Sequence, residues 1–165
     1  MASVYPSTQW ATLRRSAIPA FAGSDIVQGA PVCIASSGDD TVIMCTTSAQ
    51  KPIGVARDSA IAGNAVAVYD DGNEVRTSIF GNGAGGSFSR QSYVGVIGTS
   101  TVTHPQSGVV VTAPLLGQVN STPSVAVGAS TTSVWAVGVA YESAAIGDYA
   151  KFRVEPRLLS GLVGN

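Results

Sequence analysis

The stretch Gly54-Val-Ala-Arg-Asp-Ser-Ala-Ile-Ala-Gly63 returns 84 residues later as Gly138-Val-Ala-Tyr-Glu-Ser-Ala-Ala-Ile-Gly147. Gly, Val, Ala, Ser, Ala and Gly recur at matched places, and an apolar strand follows each copy and ends near Val68 and Phe152. Such similarity at a fixed period indicates an internal repeat. The sequence therefore predicts a duplication of one small β unit.

The recurring residues are those of strand ends and turns rather than those of a reactive site. Gly63 and Gly147 are expected to supply the positive φ that turns the chain back, because glycine carries no Cβ. Ser59 and Ser143 are expected to satisfy nearby backbone groups. We interpret the acidic residue before each serine as a turn residue.

The similarity is weaker upstream of this motif. Ala30-Pro31-Val32 aligns with Ala113-Pro114-Leu115, and Thr41-Val42-Ile43-Met44 aligns with Ser124-Val125-Ala126-Val127 when one residue is skipped. Each unit thus reads as strand, turn, strand, turn, strand.

Composition favours strands throughout. The 165 residues include 19 glycines, and only 12% are charged, so the side chains that usually cover the wet face of a helix are scarce. In the last strand Phe152 and Val154 alternate with Lys151 and Arg153, the period of a half-buried strand. The prediction is an all-β protein with two related, barrel- or sandwich-like units.

The chain divides into four predicted segments. Residues 1–24 show no sustained period and are predicted to form an extended N-terminal arm. Residues 25–80 form the first unit, residues 81–90 a Gly-rich linker or loop, and residues 91–165 the second unit. Asp71-Gly72 between two strands predicts a hairpin turn.

No Asp, Glu, Lys or Arg occurs between Gln91 and Tyr141. Neutral hydroxyl-rich strands are cheap to desolvate, whereas burying an unpaired charge in an interface is costly. This stretch is therefore either partly buried against other protein or a Ser/Thr-rich β surface, and the sequence leaves both interpretations open.

Reactive and cofactor-binding patterns are scarce. His104 is the one histidine and lies in a turn-like Thr-His-Pro, which argues against Ser-His-Asp catalysis. The Gly81–Gly86 stretch lacks the Lys-Ser/Thr of a phosphate loop. Cys33 and Cys45 are not part of a Cys/His cluster, so we expect buried thiols, with a disulfide as the alternative if adjacent strands bring them together. We expect no enzyme activity, no cofactor and no metal.

Macromolecular partners are limited by charge and hydropathy. The net charge of −1 and the lack of clustered Lys and Arg argue against a nucleic-acid surface. No apolar run reaches the roughly 18 residues of a membrane helix, and the N-terminus lacks the pattern of a signal peptide. We therefore expect synthesis in a host cytoplasm and no membrane association.

The repeated Gly-Val-Ala-x-(Asp/Glu)-Ser-Ala-x-x-Gly motif, with Gly29-Ala-Pro-Val-Cys-Ile34 before its first copy, resembles the head decoration proteins of tailed phages. The resemblance covers about residues 25–75 and, more weakly, 108–156. It implies a cement protein on the outer capsid surface of the virion that bridges major capsid subunits. It also implies a homo-oligomer, with a trimer favoured. The duplication departs from the family pattern.

Four residues of the predicted N-terminal arm are the candidate partner-binding groups: Tyr5, Trp10, Arg14 and Arg15. Aromatic and arginine side chains are frequent interface anchors. The alternative function is another virion surface or tail module, or a glycan-binding module, for which Trp10 and Trp135 would be the available indole rings. An enzyme is the third hypothesis, and it would require His104.

Overall fold

The computed structural model describes residues 17–77, 87, 89–119, 134–146 and 150–159. These residues form ten strands and no helix, which confirms the all-β prediction. The strands are β1 (Ile18–Ala22), β2 (Pro31–Ile34), β3 (Thr41–Met44), β4 (Gly54–Ala56), β5 (Ala65–Tyr69), β6 (Glu74–Thr77), β7 (Tyr93–Thr103), β8 (Val110–Val119), β9 (Val134–Ala140) and β10 (Ala150–Leu159).

The first five strands form a closed barrel in the order β1-β3-β2-β4-β5. Closure comes from β1, which pairs in antiparallel fashion with β5 and in parallel fashion with β3. The period of two along each strand turns small and β-branched side chains inward. The interior includes Ala20, Val32, Val42, Ala56, Val66 and Val68, all buried.

The other five strands form a sheet in the order β6-β10-β9-β7-β8. Its register reproduces that of the barrel. Val55 lies opposite Tyr69 and Ala56 opposite Val68, while Val139 lies opposite Arg153 and Ala140 opposite Phe152. All four pairs are related by the same shift of 84 residues, so the predicted repeat is a structural repeat in which β4 and β5 correspond to β9 and β10.

For the segments that precede the repeated motif, the alignment predicted from the sequence is wrong. Pro31 and Val32 lie opposite Val55 and Gly54, and the residues in the corresponding places of the second unit are Tyr93 and Val94. The counterpart of β2 is therefore β7. Pro114 and Leu115 instead lie in β8, which pairs with β7 as β3 pairs with β2. The two Ala-Pro pairs are identical in sequence but occupy different places in the strand pairing. The pairing register, not residue identity, defines which strands are equivalent. Residues 124–127 lie outside the described part.

The two units bury their cores differently. β1 closes the barrel against β3, but in the described residues β6 and β8, their counterparts, do not pair. The inner face of the second sheet is covered instead by the outer wall of the barrel. Cys33, Cys45 and Val55 from that wall join one buried cluster with residues of the second sheet, among them Val94, Leu116, Val137, Phe152 and Val154. The units therefore share a core.

The sheets also shift the predicted segment boundaries. β1 lies inside the predicted N-terminal arm yet belongs to the barrel, and β6 lies inside the predicted first unit yet pairs with β10. Gly72 has a positive φ, but the turn at Asp71-Gly72 joins the two sheets instead of forming the predicted hairpin. The Gly72 N–H donates to the carbonyl of Val154, which fixes this connection on β10.

Candidate interaction surfaces

The strands β7 and β8 extend beyond their own sheet as a two-stranded ribbon, which we call the hairpin extension (residues 97–113). It starts at a register shift between Val96 and Gly98. On its inner side, Ala113 is buried, and Val102 and Val111 pack with it on the cluster inside the barrel. The second unit thus contacts the first unit through both its sheet and this ribbon.

His104 lies at the turn of the hairpin extension and is completely buried. Its Nε2 lies 2.9 Å from the carbonyl oxygen of Ile26, and its Nδ1 accepts hydrogen bonds from the N–H groups of Gln106 and Ser107 at 3.3 and 3.2 Å. These contacts require a neutral ring with the proton on Nε2. His104 is therefore a structural link between the units, a role that its turn-like sequence context did not indicate.

Asp25 adds a second link at the same place. One carboxylate oxygen accepts from the Ala62 N–H at 3.0 Å and the other from the Ser107 hydroxyl at 2.8 Å. These two hydrogen bonds hold the pKa of Asp25 below its usual range because they stabilise the charged form. The link joins the β1–β2 connection to the hairpin extension.

The charge-free stretch between Gln91 and Tyr141 has two different faces in the hairpin extension. The inner face is covered by the barrel of the same chain. The outer face is exposed and rich in hydroxyl groups; it carries Thr99, Thr101, Thr103, Val110 and Thr112. The lack of charge is explained on the inner side by burial within this chain, and contact of the outer side with another protein stays a prediction.

The two turn serines make equivalent long-range contacts instead of the local ones expected. Ser59 Oγ accepts from the N–H of Gln28 at 2.9 Å, and Ser143 Oγ accepts from the N–H of Arg90 at 3.0 Å. Gly63 has the predicted positive φ of 85°, and Gly147 lies outside the described residues. The repeated motif thus ties the β4–β5 and β9–β10 connections to the start of β2 and β7.

A polar cleft of about 530 Å³ lies beside the second of these connections. It is lined by Glu74, Arg90, Tyr141, Glu142, Ser143 and Lys151. The Tyr141 hydroxyl donates to Glu74 at 2.8 Å, and burial together with this carboxylate raises the tyrosine pKa. Lys151 pairs with Glu142 at 3.2 Å. Acidic and basic groups are mixed here, so the cleft has no preference for one sign of ligand charge.

Cys33 in β2 and Cys45 directly after β3 are buried free thiols, as the first of the two sequence interpretations expected. A hydrogen bond between them lowers the pKa of Cys33 and, with burial, raises that of Cys45. Trp135, one of the two indole rings available to a glycan-binding module, is partly exposed, and the Lys51 ammonium lies 5.5 Å from its ring centroid. A stacked cation there leaves less of the ring available for a sugar.

Exposed apolar side chains mark the remaining candidate surfaces. Phe21 is 54% exposed on the barrel wall, and Val109 and Val110 are exposed beside the tip of the hairpin extension. The four partner-binding residues predicted from the sequence, Tyr5, Trp10, Arg14 and Arg15, lie outside the described residues. The structure therefore does not place them relative to Phe21.

Two features that would indicate other classes of function do not occur in the described residues. No group of three or more His, Cys, Asp or Glu side chains in this part of the chain has the arrangement of a metal site. No helix with the length and hydropathy of a membrane span occurs there either.

The fold of this chain resembles that of a solved structure. No protein-family model and no curated protein matches the chain. Among solved structures, it is similar to the N base of the head fiber gp8.5 of bacteriophage phi29, with a TM-score of 0.50 and 15% sequence identity. The match covers 90% of this chain and 98% of that chain. At this identity the likeness shows the fold alone, so this chain shares its fold with the base of a phage head fiber.

Proposed function

We propose that this protein is a non-enzymatic structural component of a phage virion that binds the outside of the assembled capsid. There it stabilises the shell by bridging major capsid subunits. The observation that carries the proposal is the fold shared along almost the whole length of a phage head fiber base. The sequence motif that resembles head decoration proteins points independently to the same class.

The internal organisation is consistent with a structural role. The repeated residues are used for strand register and for links between turns, at Ser59 and Ser143, and the one histidine is buried in a structural hydrogen-bond set. In the described part of the chain, the serines thus hold turns in place within each unit, and the histidine joins the two units.

The mechanism is thermodynamic linkage. A ligand that binds the assembled shell but not its dissociated subunits stabilises the shell by about 2.7 kcal/mol per site when its free concentration is a hundred times its dissociation constant. A homo-oligomer, with a trimer favoured, would add avidity because several copies engage neighbouring sites at once.

The test uses isolated capsids of the phage that encodes the protein, prepared without it. We expect the purified protein to co-sediment with these capsids at a fixed ratio to the major capsid protein and to raise their thermal disruption temperature. Analytical ultracentrifugation of the free protein gives the oligomeric state. Absence of co-sedimentation would exclude the proposal, and a reproducible set of hits on a glycan array would favour the glycan-binding alternative.

A further inference from the structure

The polar cleft beside the β9–β10 connection is lined partly by residues of the repeated motif and partly by residues outside it. Glu142 and Ser143 belong to the motif, and Asp58 and Ser59 are their counterparts in the first unit. The other four lining residues are all ionisable: Glu74, Arg90, Tyr141 and Lys151. They surround one concavity of about 530 Å³, which lies within the size range of small-molecule sites.

The strand pairing identifies the first-unit counterparts of Tyr141 and Lys151. The Tyr141 N–H donates to the carbonyl of Lys151 at 2.9 Å, just as the Arg57 N–H donates to the carbonyl of Ala67 at 2.8 Å. Both residues of the second unit lie 84 positions after those of the first. The same backbone arrangement thus carries an aromatic ring and an ammonium group in the second unit only.

The remaining two lining residues also have different counterparts. Arg90 and Gln28 each donate a backbone N–H to the serine of the motif, so they are equivalent. Ala17 takes the place of Glu74, because β1 pairs with β5 in the register in which β6 pairs with β10. The first unit folds without any of these four ionisable side chains in these places, so the scaffold does not require them.

The cleft offers hydrogen-bond donors and acceptors around a partly exposed aromatic ring. Lys151 pairs with Glu142 at 3.2 Å, and the Tyr141 hydroxyl donates to one oxygen of Glu74 at 2.8 Å. Burial and this carboxylate raise the pKa of Tyr141, so the hydroxyl keeps its proton at neutral pH and its oxygen is free to accept. The Arg90 guanidinium forms no hydrogen bond or ion pair with another described residue.

We infer that this cleft binds a neutral saccharide, an inference that goes beyond the proposed function and does not depend on it. A ligand with a net charge would be attracted by one half of the mixed charges and repelled by the other. Sugar hydroxyl groups both donate and accept, so they take hydrogen bonds from Arg90 and give them to the free oxygen of Glu74. The Tyr141 ring supplies a flat apolar surface for the C–H face of the sugar ring.

The test follows the amide chemical shifts of the full chain as methyl glucoside, methyl galactoside or methyl N-acetylglucosaminide is added. Each is raised to about 100 mM, because a single sugar ring in an open cleft is expected to bind with a dissociation constant of about 1–10 mM. Sodium acetate at the same concentration is the probe for a carboxylate ligand. Arg90→Gln and Lys151→Ala each introduce the residue that the first unit has in that place, so both variants should fold, and thermal unfolding checks this. Arg57→Ala is the matched control in the first unit.

We expect at least one of the three sugars to shift the amides of residues 89–92 and 140–143. Arg90→Gln should weaken this binding about tenfold and Lys151→Ala about threefold, because the latter only frees Glu142 from its ion pair, while Arg57→Ala keeps the wild-type affinity. No shift with any of the sugars, an unchanged affinity in Arg90→Gln, or shifts caused by acetate in place of the sugars would each overturn the inference. Capsid co-sedimentation of the wild-type protein remains the separate test of the proposed function, whatever the result with sugars.

Discussion

The two units have the same strand order and the same register, yet each completes its core in a different way. The first unit closes on itself through β1 and β3, and the second covers its inner face with the outer wall of the first. The second unit also sends out the hairpin extension, which has no counterpart in the short β2–β3 connection. One copy thus forms a closed barrel, whereas the other buries its inner face against its neighbour.

The largest expected effect concerns a close contact between strands that both units share. Gly54 and Gly138 are equivalent, and a Cβ at either would lie 2.2 or 2.1 Å from a carbonyl oxygen of the neighbouring strand, on Tyr69 or Arg153. Backbone cannot move away as a flexible side chain can, so Gly54→Ala and Gly138→Ala should each destabilise the protein by about 3 kcal/mol or more. Urea unfolding measures the change.

Gly98→Ala is the matched control for these substitutions. It lies in a strand at the register shift of β7, and no atom lies within 4 Å of its added Cβ. We expect a change within about 0.5 kcal/mol. A large loss for one glycine and none for the other would mean that the close strand contact is not equivalent in the two units.

The second effect concerns the hairpin extension, which has no counterpart in the first unit. His104→Phe removes the hydrogen bond to the Ile26 carbonyl, which still accepts from the Ala60 N–H, and removes the acceptor of two part-buried N–H groups of the turn. A buried hydrogen bond contributes about 1 kcal/mol and unsatisfied groups add to its loss, so a net loss of about 1–3 kcal/mol is expected.

Hydrogen exchange localises this loss. Amides of residues 98–113 should exchange faster in His104→Phe, while those of β9 and β10 keep their protection. Thr101→Val on the exposed side of the same ribbon is the control and should leave exchange unchanged. Unaltered exchange in the hairpin extension of His104→Phe would show that the histidine does not hold it on the barrel.

The sequence predicted the features that depend on local periodicity and failed for those that depend on pairing between distant strands. The repeat around Gly54 and Gly138, the all-β class and the positive φ of Gly63 follow from turn chemistry and a period of two. The counterpart of β2 was missed because Tyr93-Val94 shares one residue with Pro31-Val32, and only register reveals the relation.

The candidate surfaces were harder to predict for a related reason. The sequence shows that no charged residue occurs between Gln91 and Tyr141. Composition does not indicate whether the same chain or another protein covers a neutral strand. The inner face of the hairpin extension turned out to be covered by the barrel of the same chain. Phe21 lies within the predicted N-terminal arm. Apart from its aromatic side chain, nothing in the sequence indicated that it lies in the middle of a barrel wall.

A third, smaller effect tests whether the repeated serines are equivalent. Ser59→Ala and Ser143→Ala each remove one acceptor for a backbone N–H, of Gln28 and Arg90 respectively. A hydrogen bond of this kind contributes about 1 kcal/mol, so the two variants should lose about that much each and about twice as much together. Ser37→Ala, in an exposed turn, is the control for the thermal unfolding measurement. Unequal losses would show that one unit has relaxed its dependence on the motif.

The smallest effect is the acid sensitivity of the link between the units at Asp25. Its pKa in the folded state is below the unfolded value of about 3.9, because the Ala62 N–H and the Ser107 hydroxyl stabilise the carboxylate. A group with a depressed folded pKa contributes stability that is complete above the unfolded pKa and is lost as the pH falls through the folded pKa.

The melting temperature of the wild-type protein should therefore fall more steeply below about pH 4 than that of Asp25→Asn, whose amide does not titrate. Ser37→Ala, at an exposed turn and without a titratable group, should keep the wild-type slope. If Asp25→Asn also keeps it, the charge of the carboxylate contributes nothing to the contact between the barrel and the hairpin extension, which then depends on His104 and on apolar packing.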